Sequence, residues 1–122
     1  MPRFSKRSKE KLKTCDERLQ LIFNIVIQIM DITILEGHRG EAAQEKAFAE
    51  GKSKAKWGQS DHNNNPSLAV DVAPYPIDWN DIKRFHMLAG IVQAVAFYEG
   101  IDVRWGGNFN SFFDGPHFYL ED

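Results

Sequence analysis

The chain has 122 residues, of which 43% are hydrophobic and 26% are charged, and its formal net charge is −2. Length and composition are those of one globular unit with its own core, so we expect residues 1–122 to form a single domain. The slightly negative charge argues against a nucleic-acid-binding protein, which usually has an excess of positive charge on one surface. The basic residues at the start of the chain are interpreted as a solvated arm and first helical turn.

Membrane and secretory signals are not recognisable in the sequence. The longest apolar stretch contains Asn24, Gln28 and Asp31, so it is interpreted as an amphipathic helix that leads into a strand rather than as a membrane span. The basic start is not followed by the apolar segment and cleavage site of a signal peptide. A lone cysteine, Cys15, excludes an intramolecular disulfide and is expected to be a small core residue.

The first half of the chain predicts two helices and a strand. Apolar residues recur at helical spacing over residues 8–30 and indicate one amphipathic helix with the buried face Leu12, Cys15, Leu19, Ile22, Val26 and Ile29. The β-branched residues 32–36 predict a strand, and a glycine-rich turn follows it. Residues 41–50 favour a second helix, with Gly51 as its stop signal.

The second half predicts a polar loop, three strands and one more helix. Residues 52–66 form the loop, and residues 67–73 form a buried strand that Pro74 and Pro76 end. Asn80 is the candidate N-cap of a third helix, and Gly100 closes it. Residues 101–105 and 117–120 complete the strands. The sequence therefore predicts an α+β fold in which about three helices pack on a small antiparallel sheet.

Asp71 is the most unusual residue of the predicted strands, because its neighbours from Leu68 to Ala73 are otherwise apolar. An isolated charge in an apolar environment is very unfavourable, so this carboxylate must have a partner. The strand by itself does not distinguish a metal ion from a salt bridge or from hydrogen bonds to backbone amides.

Two histidines extend this carboxylate into a candidate metal site. Taken alone, His62 is interpretable as an exposed loop residue, and His117 as a hydrogen-bonded, partly buried residue at the start of the last strand. Together with Asp71 they are two imidazoles and one carboxylate, a set that suits zinc. Three protein ligands leave the fourth coordination position open, as in catalytic zinc sites. If the three residues converge, we expect a zinc hydrolase.

Asp114 is the candidate for moving protons at this site. Gly115 and Pro116 separate it from His117 and favour a tight turn that directs both side chains into one cavity. A carboxylate in that position accepts a proton from water and later returns it to a leaving amine. The alternative is an aspartate that only caps the turn.

Arg39 and Ser60 are the candidate substrate-binding residues. Arg39 lies in the glycine-rich turn after the first strand, where it is either a bidentate clamp for a substrate carboxylate or a structural residue. Ser60 precedes His62 in the loop and is expected to support that ligand through a hydrogen bond.

The strings that carry these residues resemble a known family. SDH, AVDVAP and DGPH are similar to the S-x-H, A-x-D and D-x-x-H signature of the zinc D-Ala-D-Ala carboxypeptidase / L-alanyl-D-glutamate endopeptidase family. EGHRG, EGKS and WGGNF, in this order, are similar to its phage endolysin branch. The resemblance extends over almost the whole chain.

The resemblance implies the hedgehog/D-Ala-D-Ala peptidase fold, with residues 1–122 as one zinc peptidase catalytic domain. It also implies that His62, Asp71 and His117 bind Zn²⁺, that Asp114 is the catalytic base, and that Arg39 meets a substrate carboxylate. The implied substrate is the peptide stem of bacterial peptidoglycan, cleaved at the L-Ala–D-Glu bond.

The same resemblance implies a lysis enzyme of a phage or prophage. Such an enzyme is made in the host cytoplasm and reaches the cell wall through a separate membrane-permeabilising protein. We expect a monomer that binds no nucleic acid and does not insert stably into a membrane. Two alternatives remain open, namely a D-Ala-D-Ala carboxypeptidase and a non-catalytic, zinc-containing domain that binds the cell wall.

Overall fold

The computed structural model describes residues 2–121, which form four α-helices and a four-stranded sheet. The helices are α1 (Lys6–Leu12), α2 (Glu17–Val26), α3 (Glu41–Ala49) and α4 (Ile82–Glu99). The strands are β1 (Ile32–Glu36), β2 (Ala69–Pro74), β3 (Val103–Trp105) and β4 (His117–Leu120). Two short 3-10 helices, Asp61–Asn63 and Gly106–Asn108, lie in the loops. The predicted α+β class is confirmed.

The sheet has the strand order β1-β2-β4-β3, and all neighbouring strands are antiparallel. Helix α1 packs beside β1, whereas α2 and α4 pack on each other and α4 also contacts β2 and β3. Phe23 of α2 meets Phe118 of β4 edge to face, with 5.6 Å between ring centroids. Each buried side chain of this kind contributes about 1.5–3 kcal/mol to the free energy of unfolding. Helices α2 and α4 thus cover the face of the sheet that carries Phe118.

Alternation along β2 and β4 separates the core from the candidate site. Successive side chains of a strand point to opposite faces of the sheet. Asp71 and His117 are partners in the antiparallel register and are only partly buried. The other face of the same two strands carries apolar residues of the hydrophobic core, which are Val70, Val72, Phe118 and Leu120.

The single helix predicted over residues 8–30 is wrong, because two helices occupy this segment. Helix α1 ends at Leu12, and α2 begins after Asp16, whose carboxylate accepts a hydrogen bond from the Arg18 backbone N–H at 2.9 Å. Between the two helices, the backbone of Cys15 pairs with that of Ser67 in an isolated parallel β-bridge. The apolar spacing continues across the break because both helices pack on one core. Since α2 ends at Val26, the predicted core residue Ile29 is 59% exposed.

Other boundaries differ from the prediction by one or two residues. The N-cap of α4 is Asp81 rather than Asn80, and its carboxylate accepts from the Arg84 backbone N–H at 3.4 Å. The strand predicted from residue 67 begins at Ala69, and the strand predicted from residue 101 begins at Val103. Gly100 ends α4 as predicted, in the left-handed conformation with φ of 69°. Within residues 2–121, no helix is both long and apolar enough to cross a bilayer.

Cys15 is expected to be chemically inert in the folded protein. Its side chain is 1% exposed, and burial raises the pKa of the thiol to about 12. Because the thiolate is the reactive form, we predict that a disulfide reagent at pH 8 labels Cys15 only after denaturation. A Lys83→Cys variant, which adds an exposed thiol, should react at once with one equivalent in the native state. Rapid labelling of native wild-type protein would show that this region is not packed as described.

Candidate active site

Strand register places three ionisable residues side by side. Asp71 of β2 is opposite Glu36 of β1 on one side and opposite His117 of β4 on the other. The His117 Nδ1 atom lies 3.1 Å from Asp71 Oδ1, within hydrogen-bonding distance. The antiparallel register therefore brings together two residues that are far apart in the chain.

His62 reaches this pair from the loop before β2. The loop makes a 3-10 turn, which Ser60 caps by accepting a hydrogen bond from the His62 backbone N–H at 3.2 Å. The imidazole is 2% exposed, and its Nδ1 lies 2.8 Å from the Gly37 carbonyl oxygen. A carbonyl oxygen only accepts, so Nδ1 carries the proton and donates it. In the neutral imidazole, Nε2 is then unprotonated and available as a metal ligand.

The geometry of the three side chains fits a metal ion. His62 Nε2 is buried and has no hydrogen-bond partner among residues 2–121; it lies 3.3 Å from Asp71 Oδ1, an ion-pair distance that lacks hydrogen-bond geometry. One ligand atom from each of His62, Asp71 and His117 lies within 4.8 Å of the others. Tetrahedral ligands at about 2.0–2.2 Å from zinc are roughly 3.3–3.6 Å apart, and His62 Nε2 and Asp71 Oδ1 have this spacing at 3.3 Å.

Mutual charges shift the pKa values in this cluster. Burial alone would raise the pKa of Asp71, but His117 and His62 hold it well below its usual range. Burial alone would lower the pKa of His62, but the Asp71 carboxylate and the Gly37 carbonyl raise it. Burial raises the pKa of Asp114; the charge of His117 opposes this shift and that of Asp71 reinforces it. Asp71 is therefore an anion at neutral pH.

Asp114 lies beside His117 because a glycine lets the turn approach. A methyl group added at Gly106 would meet the Cβ atoms of both Asp114 and His117, at 2.9 and 3.0 Å. The Asp114 backbone carbonyl accepts from the His117 N–H at 3.2 Å, but within the described chain its carboxylate has no hydrogen-bond or ion-pair partner. This aspartate therefore does not cap the turn through its side chain, and its carboxylate lines the cleft.

Arg39 is held in the cleft wall next to Asp71. Its Nη1 donates to Gln44 Oε1 at 2.9 Å, and its Nη2 lies 3.9 Å from Asp71 Oδ2. Its Nε lies 3.6 Å from Glu36 Oε2, and its backbone N–H donates to the His62 carbonyl at 2.7 Å. The guanidinium is thus oriented by several contacts and is 13% exposed. Arg39 lines the cleft, and its role in binding a substrate carboxylate stays a prediction.

Gln44 and Asn63 are structural members of the site that sequence reasoning did not identify. Gln44 is fully buried; its amide oxygen accepts from Arg39 and from Asn63 Nδ2, and its amide nitrogen donates to the Ala55 carbonyl at 2.6 Å. Asn63 Oδ1 accepts from the backbone N–H groups of Gly58 and Ser60. Gln44 is the one residue of α3 that is buried, although this helix also carries four alanines and Phe48. Its burial was therefore not predictable from the local pattern.

These elements surround one cleft of about 590 Å³, a usual size for a ligand site. All six residues predicted for the site line it: Arg39, Ser60, His62, Asp71, Asp114 and His117. The cleft is also lined by Lys52 and Lys54, which the sequence analysis did not single out, and by three phenylalanines. Lys54 Nζ lies 4.2 Å from the ring centroid of Phe112, in cation–π contact. The cleft therefore combines cationic and aromatic residues with the carboxylates of Asp71 and Asp114.

Comparisons with known proteins agree with the resemblance in the sequence. The family model described as phage L-alanyl-D-glutamate peptidase matches residues 1–120. The chain is 30% identical over 114 residues to the L-alanyl-D-glutamate peptidase of Escherichia phage T5, covering 89% of this chain and 82% of that protein. The crystal structure of Serratia marcescens L-Ala D-Glu endopeptidase ChiX is similar with a TM-score of 0.84 and 29% identity, covering 97% of this chain and 89% of the other. By the extent of these matches, the chain belongs to the phage L-alanyl-D-glutamate peptidase family.

Proposed function

We propose that this protein is a zinc-dependent peptidase that hydrolyses the L-Ala–D-Glu bond in the peptide stem of peptidoglycan. The observation that carries the proposal is the buried Nε2 of His62, which has no hydrogen-bond partner within residues 2–121 and faces Asp71. The same cleft contains the Asp114 carboxylate, which also has no partner in this part of the chain. Membership of the family and the names of the phage T5 and Serratia marcescens relatives support the choice of bond.

His62, Asp71 and His117 would hold the zinc ion. The set offers two neutral nitrogens and one anionic oxygen, the donors that zinc accepts in catalytic sites. Zinc held there would supply Lewis-acid chemistry, polarising the scissile carbonyl and making a water molecule more acidic. Gly37 maintains the tautomer of His62, and the β2–β4 register maintains the separation of Asp71 from His117.

Asp114 is proposed as the residue that transfers protons. Its carboxylate lies in the cleft beside His117, with no internal partner among residues 2–121. It would accept a proton from the attacking water and donate it to the amine of the leaving D-Glu. Peptide hydrolysis needs this second transfer, because an amide ion is too basic to leave unprotonated.

The cations around the cleft are proposed to bind the anionic stem. Arg39, Lys52 and Lys54 line the cleft, and peptidoglycan stems carry free carboxylates. Arg39 is the best oriented of the three, since Gln44 fixes its guanidinium. Ser60 is proposed to act mainly by stabilising the turn that positions His62, rather than by contacting the substrate. We further propose that residues 1–122 act as one catalytic domain, monomeric, on the cell wall after release from the host cytoplasm.

Metal binding is predicted to depend on Asp71. After removal of metal, wild-type protein should bind close to one zinc per chain and gain thermal stability on doing so. An Asp71→Ala variant should lose at least about 100-fold in zinc affinity and show no zinc-dependent rise in Tm, because the central anionic ligand is missing. His38→Gln, which changes a histidine outside the cleft, should behave as wild type. Undiminished zinc content in Asp71→Ala would refute this ligand set.

Asp114→Asn is predicted to separate metal binding from catalysis. The amide keeps the shape of the side chain but cannot accept the proton, so kcat should fall by about 10²–10⁴-fold. Zinc content and Tm should stay at wild-type values. Asp31→Asn, at an exposed aspartate, provides the matched control. A variant that keeps full activity would remove Asp114 from the mechanism.

Product analysis is predicted to identify the bond. Digestion of purified peptidoglycan, followed by mass spectrometry, should yield stem peptides with a new N-terminal D-Glu and glycan that retains L-Ala. A chelator should abolish these products, and added zinc should restore them. Release of free D-Ala would instead identify a carboxypeptidase. Binding to the wall without any product would identify a non-catalytic zinc domain.

A further inference from the structure

An apolar groove of about 170 Å³ continues from the active-site cleft. It is lined by Trp79, Ile82, Phe85, Phe113, Gly115 and Pro116, and it shares Phe113 and Pro116 with the cleft. Asp114 lies between these two shared residues in the chain. The cleft and the groove therefore adjoin at the turn that carries Asp114, so a ligand long enough to pass this turn would occupy both.

Two aromatic rings of the groove are exposed and firmly supported. Trp79 packs nearly parallel to the buried Phe85, with an interplanar angle of 14°, and is still 56% exposed. Phe113 is 44% exposed and is supported by the rings of His86 and Trp105, at centroid distances of 5.8 and 5.7 Å. Flat, rigid aromatic surfaces of this kind bind other flat apolar surfaces at a low entropic cost.

Gly115 keeps the groove open between these rings. A methyl group at this position would lie 2.7 Å from the Phe113 ring and 3.3 Å from the Phe85 ring. Any side chain here would therefore fill the space or displace Phe113. The groove exists because this position of the turn has no side chain.

Strand order fixes which end of a bound stem would face the groove. Arg39 follows β1, whereas Asp114 and Gly115 precede β4, and the order β1-β2-β4 places Asp71 between them. The free carboxylates of the stem lie on the D-Glu side of the scissile bond and are attracted to Arg39. The L-Ala side of the bond then points toward the aromatic groove.

We propose that this groove binds the N-acetylated sugar to which the L-alanine of the stem is attached; the inference rests on the proposed function. In peptidoglycan the L-alanine nitrogen is acylated by the lactyl group of this sugar, so one residue, about 3.8 Å of chain, and the short lactyl ether separate the scissile bond from the sugar ring. The apolar face of the sugar ring stacks on Trp79, and the acetyl methyl group contacts Ile82. The enzyme thereby distinguishes stems on glycan from free peptides.

Kinetics with paired substrates test the proposal. The stem peptide attached to its disaccharide is compared with the same peptide without sugar. Trp79→Ala should raise KM for the sugar-bearing substrate about tenfold and leave kcat and the kinetics of the free peptide unchanged. Tyr98→Ala, at an exposed aromatic residue of α4, should alter neither substrate. Equal effects of Trp79→Ala on both substrates, or no effect on either, would overturn the sugar site.

A binding measurement separates failure of this site from failure of the proposed function. The free disaccharide is titrated into zinc-loaded wild-type protein while the indole N–H signals are followed by NMR. The Trp79 signal should shift and saturate, while that of Trp57, 40% exposed and outside both cavities, should not. This outcome would support the sugar site even if no peptide were cleaved. The sugar site would be overturned if the Trp79 signal did not shift when the disaccharide was added. It would also be overturned if the signal shifted with protein concentration alone, because a second copy of the chain would then occupy the groove.

Discussion

A carboxylate in a middle strand of a sheet needs a compensating charge, and the fold around Asp71 is built to supply one. The strand pairs on one side with β4, which contributes His117, and on the other with β1, which leads to Arg39. The loop before the strand brings His62 to Asp71 Oδ1, the carboxylate oxygen that His117 also approaches. Positive or metal-ligating groups thus approach Asp71 from three separate segments, and each segment is held by backbone hydrogen bonds rather than by the charge itself.

The N-terminal helices contribute to this site from a distance. The break between α1 and α2 contacts both segments that position His62 and Asp71: Cys15 bridges to Ser67, and the Thr14 hydroxyl accepts from the His38 backbone N–H at 2.8 Å. A methyl group at the adjacent Gly37 would collide with Thr14 and with the Lys11 carbonyl. Close packing of Gly37 against the segment between α1 and α2 therefore fixes the position of the carbonyl that orients His62.

Local patterns in the sequence predicted most of the elements, because alternation and helical spacing depend on neighbouring residues. The three candidate ligands were predicted from their residue types, and the fold brings one ligand atom from each within 4.8 Å of the others. Asp71 was recognisable as a charge in an apolar strand. The break in the helix after Leu12 was not recognisable, since the apolar spacing continues through it. Asp16, a usual capping residue, was the one local sign of a new helix. Gln44 was also missed: its burial depends on Arg39 and Asn63, which only the folded chain brings near. The groove beside Asp114 likewise requires Trp79, from the loop before α4, and Phe113, from the loop before β4, to line one cavity.

The central claim is that one ion joins the three segments at Asp71. A crystal structure of the zinc-loaded protein, with anomalous data collected on both sides of the zinc absorption edge, tests it most directly. We predict one strong zinc peak per chain, at about 2.0–2.2 Å from a nitrogen of His62, a nitrogen of His117 and a carboxylate oxygen of Asp71. A fully loaded protein whose zinc lies elsewhere, or whose Asp71 remains outside the coordination sphere, would contradict it.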